Sequence, residues 1–252
     1  MPPQKSYFFW KRVFDVLFSL TLMAALFPVV ALFFLAAAWE TRAFPLYIQD
    51  RGVSLEGKRF RIYKFRTMRE RESRKHPHGI ANIFFRPEFA GDVPPFCGWL
   101  RLTGLDELPQ LWNILAGDMS FIGLRPLAIR DLEAMKLESP SLYYMRAALT
   151  SPGGLSGLWQ LFGSREEGVE NLVSLDMLYE RTRSTTLDLS LVAKTIPTVL
   201  FARRSDAIVK KQAGDGRQET GDRRQEAGVR RQNPEVRIQN TEVRNQVLVV
   251  RT

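Results

Sequence analysis

The stretch TGLDELPQLWNILAGDMSFIGLRPL, residues 103 to 127, carries adjacent carboxylates at Asp106 and Glu107, a third acid at Asp118 and an arginine at Arg125. Arg101 stands five residues ahead of the acidic pair, and Lys64 and Arg66 lie in the earlier run YKFRTM. Arginine and lysine hold phosphate through charge-assisted, often bidentate hydrogen bonds. A carboxylate can carry Mg2+, which in turn bridges phosphate oxygens, or it can attack phosphorus and form an acyl phosphate. Grouped, these residues point to phosphoryl-group chemistry. Taken singly, each basic residue reads as solvated surface charge. Asp106-Glu107 ahead of Pro109 then reads as a helix start, with acids suited to the dipole and a proline where its missing N–H costs little. Competing signatures are absent: there is no GxxxxGK[ST] loop, no GxGxxG after a strand, no CxxC and no HExxH. The two histidines, His76 and His78, flank one proline in a polar stretch, which suits a surface loop better than a metal site or a Ser-His-Asp arrangement.

The elements that must position these residues begin with an apolar run. Between Asp15 and Glu40 no residue is charged, and Lys5, Lys11 and Arg12 precede the run. Its length is enough to span a bilayer. It exceeds the apolar core of a secretion signal, and no clear cleavage site follows. Pro28 sits near its middle, so the residues allow two readings: a kinked spanning helix, or a re-entrant helix-break-helix. Beyond Glu40 the pattern is that of a mixed α/β domain. PLYIQDRG and KRFRIYKFRTM read as strands, with Gly52 and Gly57 marking the turn between them. Residues 70 to 95 read as an irregular polar loop. The spacing predicts a helix over 106–116, with Leu108, Leu111, Trp112 and Leu115 on one face. MSFIG reads as a strand, and residues 127–137, 141–149, 166–182 and 187–203 as helices, the last broken at Pro197. SPGGLSGLWQLFGS, rich in glycine, must turn or lie close against another backbone.

The chain has 252 residues and a formal net charge of +9, which favours anionic partners. Much of that charge is in the tail: residues 203–252 hold 12 Lys and Arg against 7 Asp and Glu. From Gly214 the tail repeats every seven residues, with glutamines at Gln218, Gln225, Gln232, Gln239 and Gln246. A coiled coil needs apolar a and d positions, and only Val229, Val236 and Val243 offer one per repeat. The tail therefore reads as disordered low complexity, and its mixed charge and few aromatics argue against nucleic-acid binding. The single cysteine, Cys97, rules out an intrachain disulfide.

With these residues in view, the chain resembles the bacterial sugar transferases, the monotopic polyprenyl-phosphate phosphoglycosyltransferases. The resemblance runs through KRVFDVLFSL, Pro28, QDRGVSLEGKRFRIYKFRTM, LRLTGLDELPQLWNILAGDMSFIGLRPL, SPGGLSGLWQLFGSR and LDLSLVAKTIPTVL, roughly residues 8 to 203. It implies an α/β, mostly helical fold in two parts. These are a re-entrant membrane helix over 1–40 with its break near Pro28 and a catalytic domain over 41–205, followed by the tail over 206–252, which its composition alone marks as disordered. It implies transfer of a sugar 1-phosphate from a UDP-sugar to undecaprenyl phosphate, on the cytoplasmic face of the bacterial inner membrane. By the same resemblance Asp106 is the nucleophile and Mg2+ ligand, and Glu107 its partner acid. Arg101 and Arg125 become phosphate-binding arginines, and Lys64 and Arg66 the basic strand beside them. A homodimer is admitted. Gly104 replaces the serine common before Leu-Asp-Glu, and Leu124 the first proline of the usual Gly-Pro-Arg-Pro. A member that has lost catalysis and kept the fold as a scaffold, and a basic binding protein acting through its tail, are the alternatives. The intact Asp106-Glu107 pair counts against the first, and the tail's composition against the second.

Overall fold

The first helix, α1 (Pro2–Thr41), sets the architecture because it is held by the rest of the chain near both ends. The computed structural model describes residues 2–69, 93–164 and 167–200; the tail, both histidines and most of the polar loop lie outside them. The helix is long and apolar enough to cross a membrane. Lys11, Asp15 and Ser19 are buried near its start, and Ala37 and Thr41 at its end. Ser19 and Ala37 are 18 residues apart, and at 3.6 residues per turn that is about five turns. The buried positions thus form one stripe in phase along an uninterrupted helix. The expected break is not seen: the helix runs on through Pro28. A proline deletes one backbone hydrogen bond, and a helix can carry that loss without ending there. Both ends of the helix dock on the same domain, through Lys11 and Asp15 near its start and Ala37 and Thr41 at its end. Phe27, Leu32, Leu35 and Trp39 lie on the exposed side.

Two strands follow, β1 (Leu46–Gly52) and β2 (Arg59–Phe65), antiparallel with Leu46 opposite Phe65 and Gly52 opposite Arg59. Phe60, Ile62 and Phe65 of β2 are buried, as β-strand alternation places them. A helix that the sequence did not reveal, α2 (Pro95–Thr103), comes next. It starts on prolines and ends on Gly104 in the left-handed conformation. Its Cys97 N–H is accepted by the Glu40 carboxylate at 3.2 Å, a contribution from the far end of α1. Burial and this carboxylate push the Cys97 thiol up to about 12. A thiol that seldom ionises is a poor nucleophile. Maleimide labelling of Cys97 at neutral pH should therefore be slow in the folded protein and fast once it is unfolded; fast labelling of the folded protein would contradict this environment.

The segment expected as one helix over 106–116 is a 3-10 turn (Leu105–Gln110) leading into α3 (Leu111–Ala116). The tighter winding shifts the phase. Leu111 and Ile114 enter the core, while Trp112, expected on the apolar face, is exposed. Asn113 of α3 is fully buried and acts as a strand partner for β2, donating to Arg61 O at 2.7 Å and accepting from Tyr63 N at 3.2 Å. Arg12 of α1 donates to Ile114 O and Leu115 O, so the apolar helix caps α3. Gly117, at φ +82°, closes α3 with its α-carbon against the Arg12 guanidinium.

Beyond α3 come β3 (Ser120–Ile122), β4 (Leu127–Ala128), α4 (Ile129–Glu138), α5 (Pro140–Ala147), β5 (Gly154–Ser156), α6 (Leu158–Phe162), α7 (Gly168–Thr182) and α8 (Thr185–Leu200). β4 joins β1 antiparallel, pairing Arg51 with Ala128, and β3 pairs with β5 in parallel. The result is mostly helical, with two small sheets. The expected break at Pro197 is absent: α8 continues past it. The proline removes one N–H, the one that would bond the Ala193 carbonyl, and the helix carries that single loss. The core joins Phe60 and Ile62 to Leu124, Leu127, Leu132, Met135, Leu172 and Tyr179.

Candidate active site

A cleft opens where β2, the 3-10 turn, the loop before β4 and β5 meet. Lys64 reaches it from β2 and Glu107 from the 3-10 turn, and the two form an ion pair at 2.6 Å. Asn113 makes this pairing possible by fixing β2 against α3. Arg125 enters from the loop after β3, and its guanidinium lies 4.4 Å from the ring centroid of the buried Trp159, a cation–π contact. Gln110, Leu155 and Gln160 line the cleft further.

Arg51, which the sequence did not single out, is the fourth charged group lining the cleft. Its Nη1 donates to Pro126 O at 2.9 Å, and its Nε and Nη2 donate to Gln49 Oε1 at 3.0 and 2.7 Å. Burial, and then the Arg125 guanidinium, lower its pKa, while Asp131 and Glu107 oppose this. Two guanidiniums repelling each other in a recessed site are the arrangement an anion would relieve. A signal existed in the sequence: Gln49 and Arg51, two apart on a strand, must share a face. What the sequence lacked was the pairing of Arg51 with Ala128, which brings that face to Arg125.

The expected site residues divide into two groups. Lys64, Glu107 and Arg125 converge on the cleft. Asp106 is half-buried beside Glu107, but successive residues of a 3-10 turn project about 120° apart and Asp106 is not in the cleft lining. Its field is felt at Cys97 of α2. Arg101 donates to Thr67 Oγ1 at 3.2 Å. Arg66 lies just past the end of β2, where its Nε donates to Phe44 O at 2.9 Å. Neither of those two arginines lines the cleft.

The Arg125 loop owes its position to glycines. A Cβ on Gly154 would lie 2.2 Å from Gly123 N, and one on Gly123 would lie 2.2 Å from Pro152 O. This is the close backbone approach that the SPGG segment led us to expect. Gly154→Ala should destabilise the fold by about 1–3 kcal/mol, the usual cost of overpacking. The measurement is a thermal unfolding curve; an unchanged midpoint would contradict the close approach.

For Mg2+, the donor set is the test. No group of three or more His, Cys, Asp or Glu side chains is clustered for a metal among the described residues. The carboxylates at hand are Asp106 and Glu107, and Glu107 already holds Lys64. Mg2+ commonly takes one or two carboxylates and completes its shell with water and substrate phosphate. The site fits an ion that arrives on a diphosphate, and does not fit an all-protein cage.

Comparison with known proteins identifies the family. The family model described as bacterial sugar transferase matches residues 6–202. The exopolysaccharide production protein ExoY of Sinorhizobium fredii is 33% identical over 77% of this chain and 87% of its own length. The UDP-glucose:undecaprenyl-phosphate glucose-1-phosphate transferase of Caulobacter vibrioides is 35% identical over 75% of this chain and 69% of its own. The UDP-galactose-lipid carrier transferase of Erwinia amylovora is 32% identical over 76% of this chain, which spans 40% of that longer protein. The chain belongs to the bacterial sugar transferases.

Proposed function

We propose that this protein transfers a sugar 1-phosphate from a UDP-sugar to undecaprenyl phosphate, the opening step in building an exopolysaccharide, O-antigen or other glycoconjugate. The observation that carries the reading is the convergence of Arg51, Arg125 and the Lys64–Glu107 pair on one cleft beside Asp106. Relatives named for transfer from UDP-glucose or to undecaprenyl phosphate support it. Such chemistry consists largely of placing a nucleophile and neutralising phosphate charge.

Asp106 is the nucleophile in this reading. A carboxylate oxygen of Asp106 attacks the phosphorus that bears the sugar. The new P–O bond forms as the bond to the bridging oxygen breaks, and UMP departs with that electron pair. An oxygen of undecaprenyl phosphate then attacks the same phosphorus, and the Asp106 oxygen leaves, restoring the carboxylate. Arg51 and Arg125 hold the diphosphate oxygens and take up the charge that grows on the departing phosphate. Lys64, kept at the cleft wall by Glu107, adds a third cation. Asp106 would also hold Mg2+, which when bound supplies further charge neutralisation at the diphosphate. Asp106 stands next to Glu107 of the cleft wall, and in this reading the phosphorus that bears the sugar is presented to it from the cleft. α1 anchors the domain at the cytoplasmic face of the bacterial inner membrane, where the polyprenyl phosphate head group lies.

The test is incubation of the full chain in detergent or nanodiscs with Mg2+, undecaprenyl phosphate and a panel of UDP-sugars, with UMP release as the readout. Release with at least one donor, dependent on the lipid for continued turnover, is expected. No release with any donor, under conditions where a known relative turns over, would overturn the proposal.

A further inference from the structure

Arg146, in the middle of the molecule, is 1% exposed and does not line the cleft. Its Nε donates to Asp176 Oδ2 of α7 at 2.8 Å, and Asp176 is itself 3% exposed. The remaining arms of its guanidinium donate to Val53 O and Arg125 O. The Asp176 carboxylate also receives a hydrogen bond from the Arg125 backbone N–H. The peptide groups on either side of the Arg125 α-carbon are therefore gripped by one buried ion pair, the carbonyl by Arg146 and the N–H by Asp176. Val53 follows Arg51 by two residues, and Arg51 in turn donates to Pro126 O. Three guanidinium contacts thus bind the 51–53 segment to the 125–126 segment.

A buried ion pair is a costly way to stabilise a fold, since apolar groups of the same volume often do as well. What a planar, multiply donating guanidinium adds is direction: it holds several acceptors at fixed separation and angle. The acceptors chosen here are backbone atoms of the two segments that carry the cleft arginines. Side chains placed by a supporting shell lose function when that shell loosens, even if they themselves are intact.

We propose that the Arg146–Asp176 pair is a positioning device that sets the Arg125 guanidinium, and through Val53 that of Arg51, at the separation a diphosphate requires. This rests on the phosphate-binding reading of the cleft. Neither residue touches substrate. They act through the backbone on either side of the Arg125 α-carbon.

The experiment is calorimetric titration of the full chain in nanodiscs with inorganic pyrophosphate, in parallel with thermal unfolding. The variants are Arg146→Lys, Arg125→Gln and the two combined. Lysine keeps the charge beside Asp176 but lacks the planar fork. Arg146→Lys is expected to weaken pyrophosphate binding by about tenfold, a loss typical of supporting-shell changes. In the Arg125→Gln background the same change should cost no more than about threefold, because most of its effect passes through Arg125. A structural role alone predicts a lower unfolding temperature with the affinity of the folded protein unchanged. That result, or losses that multiply in full, would overturn the proposal. Should Arg146→Lys not fold, Asp176→Asn, which keeps the volume and one acceptor oxygen, carries the same test. If the wild-type chain itself fails to bind pyrophosphate, the phosphate-binding reading falls and this proposal with it. If the wild type binds and Arg146→Lys matches it, only the proposal falls.

Discussion

Asp106→Asn is expected to lower turnover by about a thousandfold or more, the scale seen when a covalent nucleophile is removed. Asparagine has nearly the size of aspartate and keeps one acceptor oxygen, so the 3-10 turn that holds it should survive. Asp106 is half-buried and sits in the first turn of that element, where loss of a favourable charge costs a few tenths of a kcal/mol to about 1 kcal/mol. The variant should therefore unfold near the wild-type temperature while failing to form a phosphosugar adduct, which intact-mass measurement after mixing with donor alone would reveal. Glu107→Gln makes the informative contrast. It breaks the 2.6 Å pair with Lys64 without removing the nucleophile, so it should slow transfer and still allow the adduct. An adduct in Asp106→Asn, or near-normal turnover, would mean that another group attacks phosphorus.

Arg125→Gln is expected to cost about a hundredfold in kcat/KM, comparable to removing one fixed donor from a developing negative charge. The side chain has two supports, the backbone grip at Arg125 and the face of Trp159 at 4.4 Å, so its charge is directed rather than merely nearby. Arg125→Lys should recover part of the loss. An ammonium keeps the charge but loses the fork that matches two phosphate oxygens and stacks less well on an indole. Steady-state kinetics with varied donor decide the matter. Equal activity in all three proteins would show that the Trp159 contact is packing only and that Arg125 does not meet the diphosphate.

The sequence carried some parts of this molecule plainly and concealed others for identifiable reasons. β1 and β2 were legible because Tyr47, Ile48, Phe60, Ile62, Tyr63 and Phe65 are β-branched or aromatic and Gly52 and Gly57 bracket a turn. The acidic pair was legible as the start of a helix, but its winding was not. Apolar spacing alone does not separate a 3-10 turn from an α-turn over six residues, and Trp112 was placed on the wrong face in consequence. α2 was hidden because PPFCGWLRLT has two prolines and a glycine, and one of its caps is the Glu40 carboxylate from 57 residues earlier. The prolines at 28 and 197 were over-read. In each case the helix continues, since losing one hydrogen bond is tolerable when the surrounding turns are held by packing.

Within the candidate site, Lys64, Glu107 and Arg125 were found from charge and spacing, and the cleft unites them. Arg51 was missed because its partners, Pro126 and Arg125, are more than 70 residues away and meet it through the two-residue strand β4. No local pattern encodes such a pairing. Arg101 and Arg66 were selected on the same grounds as Arg125, yet neither lines the cleft, and each gives one donor elsewhere, to Thr67 and to Phe44 O. Proximity in sequence to an acidic pair cannot distinguish an arginine that faces a cleft from one that ties down a neighbouring strand.

The central claim is that Asp106 takes the sugar phosphate before the lipid does. Isotope exchange tests it directly: labelled UMP is mixed with unlabelled UDP-sugar, Mg2+ and the purified protein, with undecaprenyl phosphate absent. A covalent intermediate predicts that label enters the UDP-sugar at a rate commensurate with turnover, and that Asp106→Asn abolishes this exchange. Exchange that appears only when undecaprenyl phosphate is added, or that persists in Asp106→Asn, would contradict the account.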